Sequence, residues 1–170
     1  MKRIAIIGCA GSGKSTLAPQ LGKILNLPVI HLDAEYWKPG WVETPKPEWY
    51  AHVQSLISAD EWIMDGNYGG TRSLRLEAAD TVIFLDFPRG LCLRRVVQRR
   101  WRYRGRSRPD MGAGCNEKID WTFLRWIWRF PKASRPAILR QVEELADRKT
   151  VIVLHSPKET RAFLASLPIG

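Results

Sequence analysis

The sequence predicts an α/β domain built on a parallel sheet, and three observations carry that prediction. Short apolar runs alternate with longer segments of helical pattern, the order expected of repeated strand-helix units. The 170 residues, 45% hydrophobic and 26% charged, suit one globular domain. No repeat, low-complexity tract or linker interrupts the alternation, so residues 1–170 read as a single domain. A chain of this size buries roughly 70% of its unfolded surface and folds without disulfides or a structural metal.

The strands are read at Arg3 to Ile7, Val29 to Leu32, Trp62 to Met64, Thr81 to Leu85 and Thr150 to Leu154, each a short apolar run. Helices are expected to begin near Gly13, at Pro45 or Pro47 behind Thr44 as a cap, and near Arg89, Lys118, Ser134 and Lys158. Pro19 falls inside the first helix and removes the bond that the Ser15 carbonyl would accept, which predicts a local kink. The connections at Glu35 to Lys46 and Gly105 to Asn116 are polar and punctuated by Gly and Pro. Loops this long inside a compact domain tend to be lids or binding segments.

Charge narrows the partners. Lys and Arg number 27 against 17 Asp and Glu, a net charge of +10 that favours an anionic partner without choosing among nucleic acid, acidic membrane and phosphorylated small molecule. Nine arginines and no acid lie between Arg89 and Arg108, which leaves eighteen basic against seventeen acidic residues elsewhere. The three cysteines, Cys9, Cys92 and Cys115, form no Cys-x-x-Cys pair, which argues against a disulfide framework or a zinc site and for a reducing cytoplasm. The apolar run after Met1-Lys2-Arg3 ends at Gly8, short of the ~7 to 15 residues of a signal peptide. Nothing approaches the ~18 apolar residues of a membrane span, so no membrane partner is expected.

The most specific signal is Gly8-Cys9-Ala10-Gly11-Ser12-Gly13-Lys14-Ser15-Thr16, a match to G-x-x-x-x-G-K-[ST] between an apolar strand and a helical pattern. Gly8, Gly11 and Gly13 let the backbone turn so that successive amides face an anion at the positive end of a helix. Lys14 adds a point charge for the β and γ phosphates, and Ser15 a hydroxyl for Mg²⁺. A guanine switch is disfavoured, because Glu117 interrupts Asn116-Glu117-Lys118-Ile119-Asp120 where Asn-Lys-x-Asp would be needed. The strand ends Met64-Asp65-Gly66 and Leu85-Asp86-Phe87 lack the second acid of motor ATPases, which leaves a small kinase.

Together with the phosphate loop, Trp62-Ile63-Met64-Asp65-Gly66-Asn67-Tyr68 and Val82-Ile83-Phe84-Leu85-Asp86-Phe87-Pro88, followed by Arg95, Arg99 and Arg100, resemble the adenylate kinase-like P-loop phosphotransferases. His31-Leu32-Asp33, Trp37-Lys38-Pro39-Gly40-Trp41, Arg108-Pro109-Asp110-Met111 and Ile119-Asp120-Trp121 are similar to the bacterial group known as DNA topology modulation proteins. The resemblance covers nearly the whole chain. It implies a three-layer P-loop NTPase fold with strand order 2-3-1-4-5, ATP with Mg²⁺, and a helical lid at about residues 100–130. It also places Asp65 near Mg²⁺ and its waters, and Arg95 and Arg99 on the phosphates. Where monophosphate kinases carry an arginine for the acceptor phosphate this sequence has Gly69, with Arg72 or Arg75 as substitutes.

On a helix starting near Arg89, Leu93, Val96, Val97 and Trp101 fall on one side and Arg95, Arg99, Arg102 and Arg106 on the other. The basic side either closes over a triphosphate, or tracks a nucleic acid with Trp101 and Tyr103 stacking on bases. Asp33 ends the second strand, at the edge where parallel sheets bind ligands, and could accept the proton of an attacking hydroxyl; a turn cap is its plain structural role. Tyr36, Trp37, Trp41 and Tyr68 are expected beside this opening, Trp121, Trp126, Trp128 and Phe130 in the core or a lid hinge, and His31, His52 and His155 in structural roles.

The reading is an ATP-using, Mg²⁺-dependent cytoplasmic kinase of a nucleotide or nucleoside-like small molecule. Lys14, Asp33, Arg95 and Arg99 are its catalytic candidates. Gly8, Gly11, Ser12, Gly13, Lys14, Ser15, Thr16 and Arg95 would hold the nucleotide, and Ser15 and Asp65 the metal. The alternative is a nucleotide-dependent DNA-binding regulator of DNA topology.

Overall fold

The structure, a computed structural model, describes residues 1–106, 108–112, 114–117 and 119–168. Five strands form one parallel sheet: β1 (Arg3–Gly8), β2 (Val29–His31), β5 (Trp62–Asp65), β6 (Thr81–Leu85) and β7 (Thr150–Leu154), in the order β2-β5-β1-β6-β7. Numbered within the sheet alone, this is 2-3-1-4-5. Ile4, Ala5, Ile6 and Ile7 of the central strand are fully buried, as are Ile63 and Met64 and Val82 to Phe84 on its neighbours. Continuous apolar runs of this kind are what a parallel sheet covered on both faces requires.

Helix α1 (Lys14–Leu25) follows β1 and leads leftward to β2, whereas α3 (Lys46–Ile57), α4 (Gly69–Ala78) and α7 (Arg135–Leu145) each precede a strand placed to the right. Right-handed crossovers therefore put α1 on one face and these three on the other. Helix α8 (Pro157–Ser166) packs beside α1, completing three layers. Helix α5 (Arg89–Arg102) leaves the end of β6 and packs on α6 (Trp121–Ala133).

Three short elements reach into or occupy the connection read as a loop from Glu35 to Lys46. A one-turn helix, α2 (Leu32–Tyr36), follows β2 directly, and β3 (Trp37–Lys38) pairs antiparallel with β4 (Val42–Glu43) around Pro39-Gly40. Such two-residue strands are too short to show alternation. Helix α4 escaped the sequence reading because it opens on Gly69-Gly70, both poor helix formers.

Other expectations need correction. Thr44 does not cap α3: Pro45 holds that position, and the Thr44 hydroxyl donates to the Tyr36 carbonyl at 2.6 Å. Lys118 lies outside the described residues, and α6 begins at Trp121 behind Asp120, whose carboxylate accepts the Phe123 amide at 2.7 Å. Pro19 lies inside helix α1, which runs to Leu25, as the sequence places it. On α5 the buried residues are Cys92 and Val96, while Val97 and Trp101 are exposed. The helix approaches the loop after β1 through Cys92 and Val96, so its packed face is turned toward the arginine side. On α6 only Phe130 of the four aromatics is in the core; Trp121 is 79% exposed, and Trp128 lies on the surface under the Arg89 guanidinium at 3.8 Å.

Candidate active site

A cleft of about 1030 Å³ opens at the carboxyl ends of the strands and is lined by the loop from Ala10 to Thr16, by Asp33 and Asp65, and by Arg95, Arg99 and Arg102. This is where parallel sheets place ligands, because neighbouring connections diverge there. Its floor is the loop between β1 and α1. Gly8, Gly11 and Gly13 have φ of +150°, +80° and +103°, a region open to glycine and strained for other residues. Gly11 has a second reason: a Cβ there would stand 2.4 Å from the Cys92 carbonyl oxygen of α5.

Gly13 occupies the α1 cap without a side chain to satisfy the first-turn amides; that of Thr16 turns back to the Gly13 carbonyl at 3.1 Å, which leaves those of Lys14 and Ser15 for the cleft. These free donors and the helix dipole suit a phosphate group. The Lys14 ammonium donates to the carbonyls of Gly8 at 2.8 Å and Cys9 at 3.0 Å, folded over its own loop. Burial lowers its pKa, opposed mainly by the charge of Asp65. Ser15 and Thr16 line the cleft with Lys14, whereas the Ser12 hydroxyl is turned inward and finds no partner among the described residues.

Arg95 reaches back to the loop, its Nη1 donating to the Ser12 carbonyl at 3.0 Å, so α5 delivers a guanidinium to the phosphate site. Arg99 and Arg102 line the same cleft, but Arg106 lies beyond the end of α5 and outside it. Arg99 Nε donates to Glu117 Oε1 at 2.9 Å, and Arg108 Nε stands 2.8 Å from Glu117 Oε2. Glu117, a buried carboxylate with a side chain 1% exposed, thus joins α5 to the segment before α6. Burial and the neighbouring Arg108 lower the Arg99 pKa.

On the β2 side, Asp33 lies in the first turn of α2 rather than at the strand end, and it caps nothing. The Tyr68 hydroxyl donates to Asp33 Oδ1 at 2.7 Å. Burial, reinforced by the Asp33 charge, holds the Tyr68 phenol well above its ordinary pKa, so it remains a donor. Asp33 Oδ2 lies 3.8 Å from Arg108 Nη2, an ion-pair distance that leaves its lone pairs open to the cleft. Trp37, Trp41 and Tyr68 line this side; Tyr36 does not, its hydroxyl being spent on Glu43 at 3.1 Å.

Asp65, at the end of β5, binds His31 Nδ1 through Oδ1 at 2.6 Å. That hydrogen bond raises the His31 pKa against the opposing effect of burial. His31 therefore belongs to the cleft, a role its isolated place in the sequence gave no means to see. The other strand-end acid, Asp86, is consumed in a two-pronged pair with Arg135 at 2.7 and 2.8 Å.

Two functional groups were invisible as such in the sequence. Asn67 brackets Gly8, accepting its amide at 3.1 Å and donating to its carbonyl at 2.7 Å. Fully buried Arg75 holds the Gly66 and Asn67 carbonyls at 3.0 and 2.6 Å, and Arg72 donates to Gln141 at 2.7 Å. Neither arginine lines the cleft, so neither replaces the acceptor-phosphate arginine missing at Gly69.

A glycine-rich turn that offers helix amides, a lysine and a hydroxyl at the end of a central parallel strand defines the P-loop class of α/β proteins. Within that class the fold matches P-loop kinase folds. It is similar to shikimate kinase from Acinetobacter baumannii, solved in complex with shikimate, at 16% identity and TM-score 0.64, over 97% of this chain and 89% of that one. It is also similar to a sugar kinase from a Janibacter species, at 18% identity and TM-score 0.54, over 100% and 96% of the two chains. A gluconokinase from Sinorhizobium meliloti aligns at 16% identity and TM-score 0.52, over 96% and 91%. No protein-family model and no curated protein sequence matches the chain, and the likeness to the DNA topology modulation group rests on its motifs alone. Among the described residues no helix is long and apolar enough to cross a membrane.

Proposed function

We propose that the protein is a Mg²⁺-dependent kinase that transfers the γ-phosphoryl group of ATP to a hydroxyl group of a small molecule. The observation that carries this reading is the placement of Asp33 across the cleft from the phosphate loop, with one oxygen fixed by Tyr68 and the other open. A phosphate acceptor is already anionic and needs no such base. A hydroxyl acceptor does, and Asp33 would take its proton as the acceptor oxygen bonds to the γ-phosphorus and the bond to the β-phosphate oxygen breaks, releasing ADP. Shikimate, bound in one of the structural neighbours, is a hydroxyl compound, although unlike the acceptor argued for below it also carries a carboxylate.

Lys14 and Arg95 stabilise the charge on the transferring group, and Arg99 joins them when it leaves Glu117. The nucleotide base would lie toward α8, whose Pro157, Thr160, Arg161 and Leu164 line the cleft together with Phe123 and Trp126. The donor set fits Mg²⁺: Ser15 Oγ and Asp65 Oδ2, the carboxylate oxygen not bonded to His31, share the cleft. Bound there with phosphate oxygens and water, Mg²⁺ would supply charge neutralisation.

The test is a phosphoryl-transfer screen with Mg·ATP, Lys14→Met serving as the control. Absence of ATP binding, or no thermal stabilisation by Mg·ATP, ends the reading. One observation favours the second reading, a nucleotide-dependent DNA-binding regulator: Trp101 is 74% exposed, and Arg104 and Arg106 are exposed outside the cleft. It predicts DNA affinity that falls steeply with salt and loses slope when Arg104 and Arg106 are neutralised. No DNA binding at low salt removes it.

A further inference from the structure

We propose that the acceptor carries no negative charge: it is an uncharged or cationic hydroxyl compound, not a carboxylate or a phosphate ester. This deepens the kinase reading and rests on it. The argument concerns the acceptor wall, the part of the cleft that β2, α2 and the segment before α6 build around Asp33.

Carboxylates outnumber guanidiniums on that wall. Arg108, with a side chain 7% exposed, has its Nη1 3.0 Å from Asp110 Oδ2, its Nε 2.8 Å from Glu117 Oε2 and its Nη2 3.8 Å from Asp33 Oδ2. Three carboxylates therefore surround one guanidinium, and the second guanidinium within reach, Arg99, shares the same Glu117. His31 is taken by Asp65 at 2.6 Å, and Lys38 by Glu48 at 3.0 Å. An incoming carboxylate or phosphate would meet three carboxylates, Asp33, Asp110 and Glu117, against the two guanidiniums of Arg99 and Arg108. Like charges brought together in a site of low dielectric oppose binding strongly.

The remaining surface favours the opposite choice. Trp37 and Trp41 meet edge to face at 5.3 Å between ring centroids, and both line the cleft with Tyr68. Aromatic faces accept the apolar face of a sugar or nucleoside, and they attract an ammonium group, which the adjacent carboxylates would also welcome. The free cationic character of the cleft lies instead at Lys14, Arg95 and Arg102, on the side where the triphosphate belongs.

The experiment compares acceptors in pairs that share a skeleton and differ in charge: glucose with gluconate, nucleosides with their monophosphates, and amino alcohols with hydroxy acids. ADP release and the phosphorylated product are both measured with Mg·ATP. The expected result is that an uncharged or cationic member exceeds its anionic counterpart in kcat/KM by about 100-fold or more. Asp110→Asn, which releases one nitrogen of Arg108, is expected to narrow that ratio about tenfold. Preference for the anionic member, or a ratio indifferent to Asp110→Asn, overturns the inference and leaves the kinase reading standing. Mg·ATP binding without turnover of any member overturns the kinase reading, and the inference with it.

Discussion

Asn67 and Gly8 are joined by two hydrogen bonds of opposite sense, Gly8 N to Asn67 Oδ1 at 3.1 Å and Asn67 Nδ2 to Gly8 O at 2.7 Å. The end of β5 thereby holds the start of the phosphate loop in register with β1. Asn67→Ala removes both bonds and leaves the Gly8 amide unsatisfied, at a cost of about 1–3 kcal/mol, while the Gly8 carbonyl keeps the Lys14 ammonium at 2.8 Å. Asn67→Asp keeps the acceptor, loses the donor and sets a negative charge beside the phosphate site. The expected order of ATP affinity is wild type, then Ala, then Asp, read by calorimetric titration; an Asp variant binding as tightly as wild type refutes the clamp.

Asp33 provides the second prediction. Asp33→Asn preserves size and the Tyr68 contact but cannot take a proton. With any turned-over hydroxyl acceptor, kcat should fall by about 10² to 10⁴ while the KM for ATP stays near the wild-type value. Full retention of kcat would show that Asp33 only orients the acceptor.

Gly11 and Gly40 separate packing from backbone strain. Both adopt left-handed φ, at +80° and +79°, but a Cβ on Gly11 meets the Cys92 carbonyl at 2.4 Å and one on Gly40 meets nothing within 4 Å. Gly40→Ala should cost only the conformational term of about 1–2 kcal/mol. Gly11→Ala should cost a further ~1 to 3 kcal/mol from overpacking and weaken ATP binding by displacing α5. Equal melting temperatures for the two variants would contradict this.

Glu117 is the buried anion between Arg99 and Arg108. Breaking a buried ion pair by removing one partner costs roughly 3–5 kcal/mol, and Glu117→Gln, which keeps one hydrogen bond, should fall toward the lower end. Release of Arg108 also loosens the segment before α6. Limited trypsin digestion should then cut faster at Arg102 to Arg106 in the variant, and unchanged digestion would dissociate Glu117 from that segment.

Much of the molecule was legible in the chain. The buried strands announce themselves as unbroken apolar runs, and β6 and β7 appear where Thr81 to Leu85 and Thr150 to Leu154 predict them. The phosphate loop is legible because its chemistry depends on backbone shape and two adjacent side chains, so all of its information is local. Elements whose stability comes from neighbours were not legible. The β3-β4 hairpin and the one-turn α2 have too few residues for a period, and α4 starts on two glycines that only packing can hold helical.

The sequence by itself determined the sheet, the strand-loop-helix and the concentration of positive charge in one segment. These follow from hydrophobic periodicity, glycine spacing and composition, which are properties of neighbours in the chain. Tertiary structure alone decided how that charge is used. Arg95 reaches Ser12 across 83 positions, Arg99 and Arg108 close on Glu117, and Arg75 is buried on the Gly66 and Asn67 carbonyls. Which partner a charged side chain finds depends on distances and burial set by the assembled layers, and no count of residues contains them.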